Sequence, residues 1–202
     1  MDARQTHPEA QSQEQDHGTP RHPHTGRLAF YHADAKGSGR AMRLELRLNR
    51  AEEDRYDCFF LEMARQQTAA TGERGRTVAT FDWDRKVVVK LDFFDVCELL
   101  TVLEGRAPNA GGQRNGLYHQ SGNTNTLIAF RKDPERAGYS LDISRKDQQG
   151  NQVFKEHIIL SEAEATGLRC VMQAGLFYLA FHGSVWPALA ARPPARPAMG
   201  EG

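Results

Sequence analysis

The sequence predicts an α+β protein made by duplication, in which a unit of four antiparallel strands and one helix occurs twice. Three observations carry this. Apolar and polar residues alternate strictly in "AMRLELRL" (41–48), the mark of a strand with one buried face. Apolar residues recur at helical spacing in two later segments, around Phe93–Leu103 and around Leu168–Leu179. Between them lies the Gly- and Asn-rich connection "APNAGGQRNG", after which the order of strand signals restarts. One such unit cannot hide its own apolar face, so two sheets and two helices are expected to share a core through a pseudo-twofold relation.

In the first half, Met42, Leu44, Leu46 and Leu48 line one face of the first strand while Ala41, Arg43, Glu45 and Arg47 line the other. The run "DCFFLEMARQ" reads as a second strand with Phe59, Leu61 and Met63 on one side. A third, "TVATFDW", is expected to meet a fourth, "VVVKL", across the polar turn Asp84, Arg85, Lys86 as a hairpin. Asp92 stands where an N-cap belongs. Phe93, Val96, Leu99, Leu100 and Leu103 then follow a helical stripe until Gly105 stops it.

The second half repeats the order in "GLYHQSGNTNTLIAFRK", "GYSLDISRK" and "QVFKEHIIL", with its third strand hidden or held within "ISRKDQQGNQVF". Ser161 and Glu164 form a capping-box pattern. The helix behind it presents Leu168, Val171, Met172, Gly175, Leu176 and Leu179 along one stripe. The halves also share letters: a Tyr-His pair before a turn and strand (Tyr31-His32, Tyr118-His119), and "FLEMARQ" against "SLDISRK".

Composition sets limits. The 202 residues carry 26 basic and 26 acidic side chains, so no global field announces a polyanionic partner. Cys58, Cys97 and Cys170 lie far apart without metal or redox spacing, which suits packing in a reducing compartment. Absence of a long apolar run and of a secretory signal suggests a soluble, cytoplasmic protein with no membrane partner. Residues 1–26 contain no Val, Ile, Leu, Phe, Trp or Tyr and read as a disordered arm; their four histidines fix no metal geometry. Residues 187–202, rich in Pro and Ala, read as a mobile tail. The folded domain is therefore expected over 27–186, with halves at about 27–105 and 116–186.

"FDWDRKVVVKLDFFDVCELLTVL" resembles the hairpin and first helix of the Whirly family of single-stranded-DNA-binding proteins. "KGSGRAMRLEL" is similar to that family's KGKAAL stretch, and "KEHIILSEAEATGLRCVMQAGLFYLAFHGSVW" to its closing strand and long helix. The resemblance covers about 27–186 and departs at Gly39 or Arg40, where the family has its second lysine, and at Met42. It implies two roughly perpendicular four-stranded sheets packed through helices, homotetramers joined on the helical side, and single-stranded nucleic acid lying along the sheets. Kinetoplastid guide-RNA-binding proteins share the fold, so the ligand is single-stranded DNA or RNA. If the source is bacterial, the resemblance implies association with the nucleoid.

A binder indifferent to sequence needs cations along the phosphates and flat side chains against the bases. Lys36 and Arg40 flank the glycines of "KGSGR", and Arg43 points outward from the strand that follows. Asn123, Asn125, Arg131 and Lys132 stand in matching places of the second half. Tyr31 with His32 and Tyr118 with His119 are positioned to stack bases, with Trp83 a further candidate. Each has a plainer reading: Trp83 as packing, the tyrosines as edge-strand fillers, Arg43, Glu45 and Arg47 as cross-strand ion pairs. No nucleophile, zinc or phosphate-loop motif is present, so no enzyme, cofactor or small-molecule substrate is expected. The competing reading is a non-enzymatic oligomer that assembles through the apolar helix at 168–181.

Overall fold

The computed structural model describes residues 26–48, 57–69 and 79–190, with 182–190 as helix backbone only. The first half comprises β1 (Arg27–His32), β2 (Arg40–Arg47), β3 (Cys58–Arg65), β4 (Val87–Leu91) and α1 (Phe93–Leu103). After a single 3-10 turn, the second comprises β5 (Leu117–Ser121), β6 (Thr124–Asp133), β7 (Gly138–Asp147), β8 (Gln152–Ser161) and α2 (Glu162–Ala190). Each set of four strands is an antiparallel sheet in sequence order. The expected duplication of a four-strand, one-helix unit is what the chain forms.

One strand differs from expectation. The first strand of the first sheet is β1, whose inward positions are Leu28, Phe30 and His32; the histidine interrupts the apolar alternation and conceals the strand. The segment "TVATFDW" is not its third strand. Residues 77–78 fall outside the described residues, and 79–83 contribute a single bridge, Phe81 to Gln66. The turn at Asp84–Arg85 is accordingly no hairpin: Asp82 accepts from the Arg85 N–H at 3.1 Å and turns the chain into β4. In the second half "GLYHQSGNTNTLIAFRK" holds two strands, since Ser121 pairs with Thr124 across a two-residue turn whose Gly122 has φ 54°. Of the expected arm at 1–26 only Gly26 falls within the described residues; of the expected tail at 187–202, residues 187–190 continue α2 and the rest lie outside the described residues.

Strand register aligns the halves residue by residue. His32 lies opposite Arg40 and Arg40 opposite Arg65; His119 lies opposite Thr126 and Thr126 opposite Arg145. From this, Leu61 corresponds to Leu141, Met63 to Ile143 and Glu62 to Asp142, the match anticipated between "FLEMARQ" and "SLDISRK".

The inward faces and both helices form one apolar cluster that includes Leu44, Phe59, Leu61, Leu99, Phe130, Leu141, Leu168 and Met172. Both helices open on capping boxes. Asp92 and Asp95 exchange bonds with each other's backbone N–H at 2.9 and 3.0 Å, and Ser161 and Glu164 do the same at 3.3 and 2.8 Å. Helix α2 reaches the first sheet through Gly175, where a Cβ would stand 2.2 Å from the Phe59 ring.

Candidate nucleic-acid interface

The outward face of the first sheet carries Arg43 and Arg47 on β2, with Tyr31 on the neighbouring edge strand. Trp83, arriving from the β4 side, lies under the Arg43 guanidinium, whose carbon is 3.4 Å from the indole centroid. Tyr31 stands edge-on to Trp83 at 6.4 Å and tilted against Phe81 at 5.6 Å. Ala41, paired with Tyr31, and Ala64, paired with Ala41, face outward yet are almost fully buried. Tyr31 remains 52% exposed, and an open groove runs past Tyr31, Ala33, Thr80, Phe81 and Trp83. A second guanidinium, that of Arg47, lies 5.1 Å from the Phe60 ring on the same face. Tyr31, Arg43 and Trp83 are thus brought together as one flat, cationic surface.

Lys36 is exposed in the β1–β2 loop that follows Tyr31 and His32. Asp34 organises the loop, its Oδ1 accepting from the backbone N–H groups of Lys36 and Ser38 at 2.9 Å. The Ser38 hydroxyl, followed by these N–H groups, holds the Asp34 carboxyl below its ordinary value. The Gln66 carboxamide closes the base of the loop, accepting from Asp34 N–H and Gly39 N–H and donating to the Asp34 and Thr68 carbonyls. The glycine at 39 serves this closure: a Cβ there would meet the His32 carbonyl at 2.1 Å and Gln66 at 2.2 Å.

His32, His119 and Arg40 turn inward and join the halves. His32 Nε2 pairs with Glu164 at the start of α2 at 2.7 Å; His119 Nε2 pairs with Asp95 at the start of α1 at 3.0 Å. Each histidine therefore holds the N-terminus of the other half's helix. The hydrogen bond to Asp95 raises His119 above its ordinary 6.5, against the effect of burial. Burial of Glu164 works to raise it, but bonds from His32 and Ser161 prevail and hold it below 4.5. Arg40 and Arg65 both donate through Nε to Glu156 of β8, whose side chain is 2% exposed. Arg145 makes the corresponding reach in the opposite direction, donating to the Val88 carbonyl at 2.9 Å and to the Thr126 hydroxyl at 3.0 Å. Among the described residues no buried side-chain polar atom lacks a partner.

The second sheet presents a different outward face. Tyr118 is 61% exposed, its hydroxyl 3.4 Å from the Arg114 carbonyl. Arg131 pairs with Asp142 at 3.1 Å, and Asn123 in the β5–β6 turn accepts from Gln148 at 3.1 Å. Lys132 lies on the inward side, near Glu162 at 3.5 Å and the Tyr139 ring at 5.6 Å. The expected matching is shifted by the register: Arg131 occupies the place of Glu45 and Lys132 that of Leu46, while Asn125 matches Gly39. Lys146 and Lys155 are exposed outward cations that the sequence reading passed over. Phe60 was also missed, although alternation with inward Phe59 and Leu61 marks it as an aromatic on the open face.

On the helical side, Phe94 of α1 is 75% exposed, and Phe177, Tyr178 and Phe181 of α2 form an exposed aromatic cluster with ring spacings of 5.4 and 5.8 Å. Among the described residues no three His, Cys, Asp or Glu side chains converge as metal ligands, and no helix is long and apolar enough to cross a membrane.

Solved structures show the same architecture. WHY1 from Arabidopsis thaliana is 16% identical over 83% of this chain and 94% of its own, with a TM-score of 0.57. WHY3 from the same plant is 16% identical over 86% and 98%, with a TM-score of 0.58. A guide-RNA-binding protein complex bound to a guide RNA is 19% identical over 78% and 93%, at 0.53. No family model and no curated protein matches the sequence. The fold is that of the Whirly single-stranded-DNA-binding proteins, as the sequence resemblance implied.

Proposed function

We propose that this protein binds single-stranded nucleic acid, foremost single-stranded DNA, with little sequence specificity along the outward faces of its sheets, and serves DNA repair, recombination or transcription. It is a binding protein rather than an enzyme. The observation that carries this reading is the Arg43–Trp83–Tyr31 surface, which combines a stacked guanidinium with an exposed ring on an open sheet. Lys36 on the first half and Tyr118, Asn123 and Arg131 on the second sheet extend the contact set. His32, His119, Arg40 and Lys132 contribute by fixing the geometry of the sheets and helix ends. A homotetramer assembled through Phe94 and the Phe177–Phe181 cluster would cover that apolar surface and repeat the basic faces, which offsets the neutral net charge. We place it in the cytoplasm, on the nucleoid if the source is bacterial.

Fluorescence anisotropy with single-stranded DNA, duplex DNA and RNA of equal length tests the proposal. The single DNA strand binds tightest, affinity falls as salt rises, and Arg43→Ala weakens binding several-fold. Equal affinity for duplex and single strand, or binding indifferent to salt, would sink it. Tighter RNA binding would favour the second reading, to which the similarity with the guide-RNA complex points.

A further inference from the structure

We infer that the two sheets divide the ligand between them: the first holds bases and the second follows phosphates. The inference rests on the single-strand reading above and adds to it a role for each face.

Register places the two outward faces position by position against one another. Arg43 corresponds to Ala129, Phe60 to Ser140 and Arg47 to Asp133. The first face thus has two guanidinium–aromatic stacks, Arg43 on Trp83 at 3.4 Å and Arg47 on Phe60 at 5.1 Å, and the second has neither. Arg43 and Arg47 lie four residues apart on one strand, about 13 Å at the usual rise of a strand. A guanidinium laid on a ring leaves a flat apolar surface for a base and edge donors for the adjoining phosphate. The carboxylates of this face are neutralised in place, Glu45 by Arg27 at 2.7 Å and Arg47 at 3.5 Å, Glu62 by Lys86 at 2.7 Å.

The second face offers Tyr118 at its edge strand and the exposed His157 imidazole on β8, and no Phe, Trp or further Tyr among the described outward positions of β5–β8. Tyr31 is braced by the Phe81 and Trp83 rings, whereas among the described residues no ring packs against Tyr118. What remains is Arg131, Lys146 and Lys155, with Asp142 tied to Arg131. Lysine ammonium groups pair with phosphates wherever the chain lies and give bases nothing to stack on.

The test uses the full chain and two single strands of equal length and charge, one of thymidines and one entirely abasic. The native protein binds the thymidine strand tighter than the abasic one by about 5- to 150-fold for each base held. Tyr31→Ser with Phe60→Ser reduces this ratio toward one and leaves the salt slope unchanged. Lys146→Ser with Lys155→Ser weakens both strands alike and lowers the salt slope by about 1.4, or about 0.7 for each single-strand phosphate contact. Trp83 gives a readout free of any change in folding. With Trp186→Phe it is the sole tryptophan, and its emission is quenched by the thymidine strand and not by the abasic strand. If both variant pairs alter ratio and slope alike, or the quenching does not depend on bases, the division is overturned while single-strand binding stands. Failure of the native chain to bind either strand removes both.

Discussion

In the first half the row across the sheet runs His32, Arg40, Arg65; in the second it runs His119, Thr126, Arg145. The ends of the two rows do the same work. Each histidine pairs with the third residue of the other half's helix, and each terminal arginine reaches the opposite sheet. The middle and the acceptor differ. Arg40 and Arg65 converge on the buried carboxylate of Glu156, whereas Arg145 is satisfied by the Thr126 hydroxyl and the Val88 carbonyl. Glu156 itself stands at the register position of Val87. The same join between sheets is therefore made once by an ion pair and once by a guanidinium on neutral acceptors, so the geometry of the join does not require the ion pair.

This difference sets the largest predicted effect. Arg40→Ala with Arg65→Ala leaves Glu156 charged, buried and without its two cations, and destabilises the fold by about 3–5 kcal/mol in urea unfolding. Glu156→Ala costs less, because Arg65 is 61% exposed at its side chain and turns to water. Converting the ionic join to its neutral counterpart, Arg40→Thr with Glu156→Val, returns stability to within about 1 kcal/mol of the native chain. A loss from that double change as large as from the double alanine would show that the halves are not interchangeable at the seam.

A second contrast lies one residue earlier. Gly39 and Asn125 occupy equivalent positions, but only the first is enclosed, by the His32 carbonyl and Gln66. The longer β1–β2 loop folds back on Gln66, while β5 and β6 turn within two residues and leave Asn125 exposed. Gly39→Ala destabilises by about 1–3 kcal/mol through forced displacement of backbone, and Asn125→Ala stays within about 0.5 kcal/mol. Equal thermal unfolding midpoints for the two variants would contradict the enclosure.

The contrast between inward and outward positions also explains what the sequence disclosed. Alternation at Met42, Leu44 and Leu46, helical spacing at Val96, Leu99 and Leu103, and the shared "FLEMARQ" and "SLDISRK" were legible because burial imposes a period on apolar residues. β1 was not legible, because its inward His32 is rendered tolerable only by Glu164, which lies 132 residues away. The same long-range pairing hid the structural use of Arg40, which a local reading of "KGSGR" assigns to a ligand. Outward residues obey no period, so Tyr31, Arg43 and Trp83 could be proposed from their types, but their convergence depended on the path taken by 79–83.

The smallest effect concerns what the halves retain in common, the two histidine–carboxylate pairs. His119 has a folded-state pKa above 6.5, so its contribution is fully present below that value and is lost as pH rises through the higher folded value. Glu164 has a folded-state pKa below 4.5, so its contribution is present above 4.5 and is lost as pH falls through the lower folded value. Both are at full strength together between these limits, on the weakly acidic side of neutrality. His119→Asn keeps a side chain able to donate to Asp95 but cannot titrate. It costs about 0.5–1 kcal/mol at pH 6, where the native imidazolium makes a charge-assisted bond, and progressively less toward pH 8. Urea midpoints for native and variant chains that converge as pH rises would support the crossed clamp; midpoints differing by the same amount at pH 6 and pH 8 would mean that His119 holds α1 by packing alone.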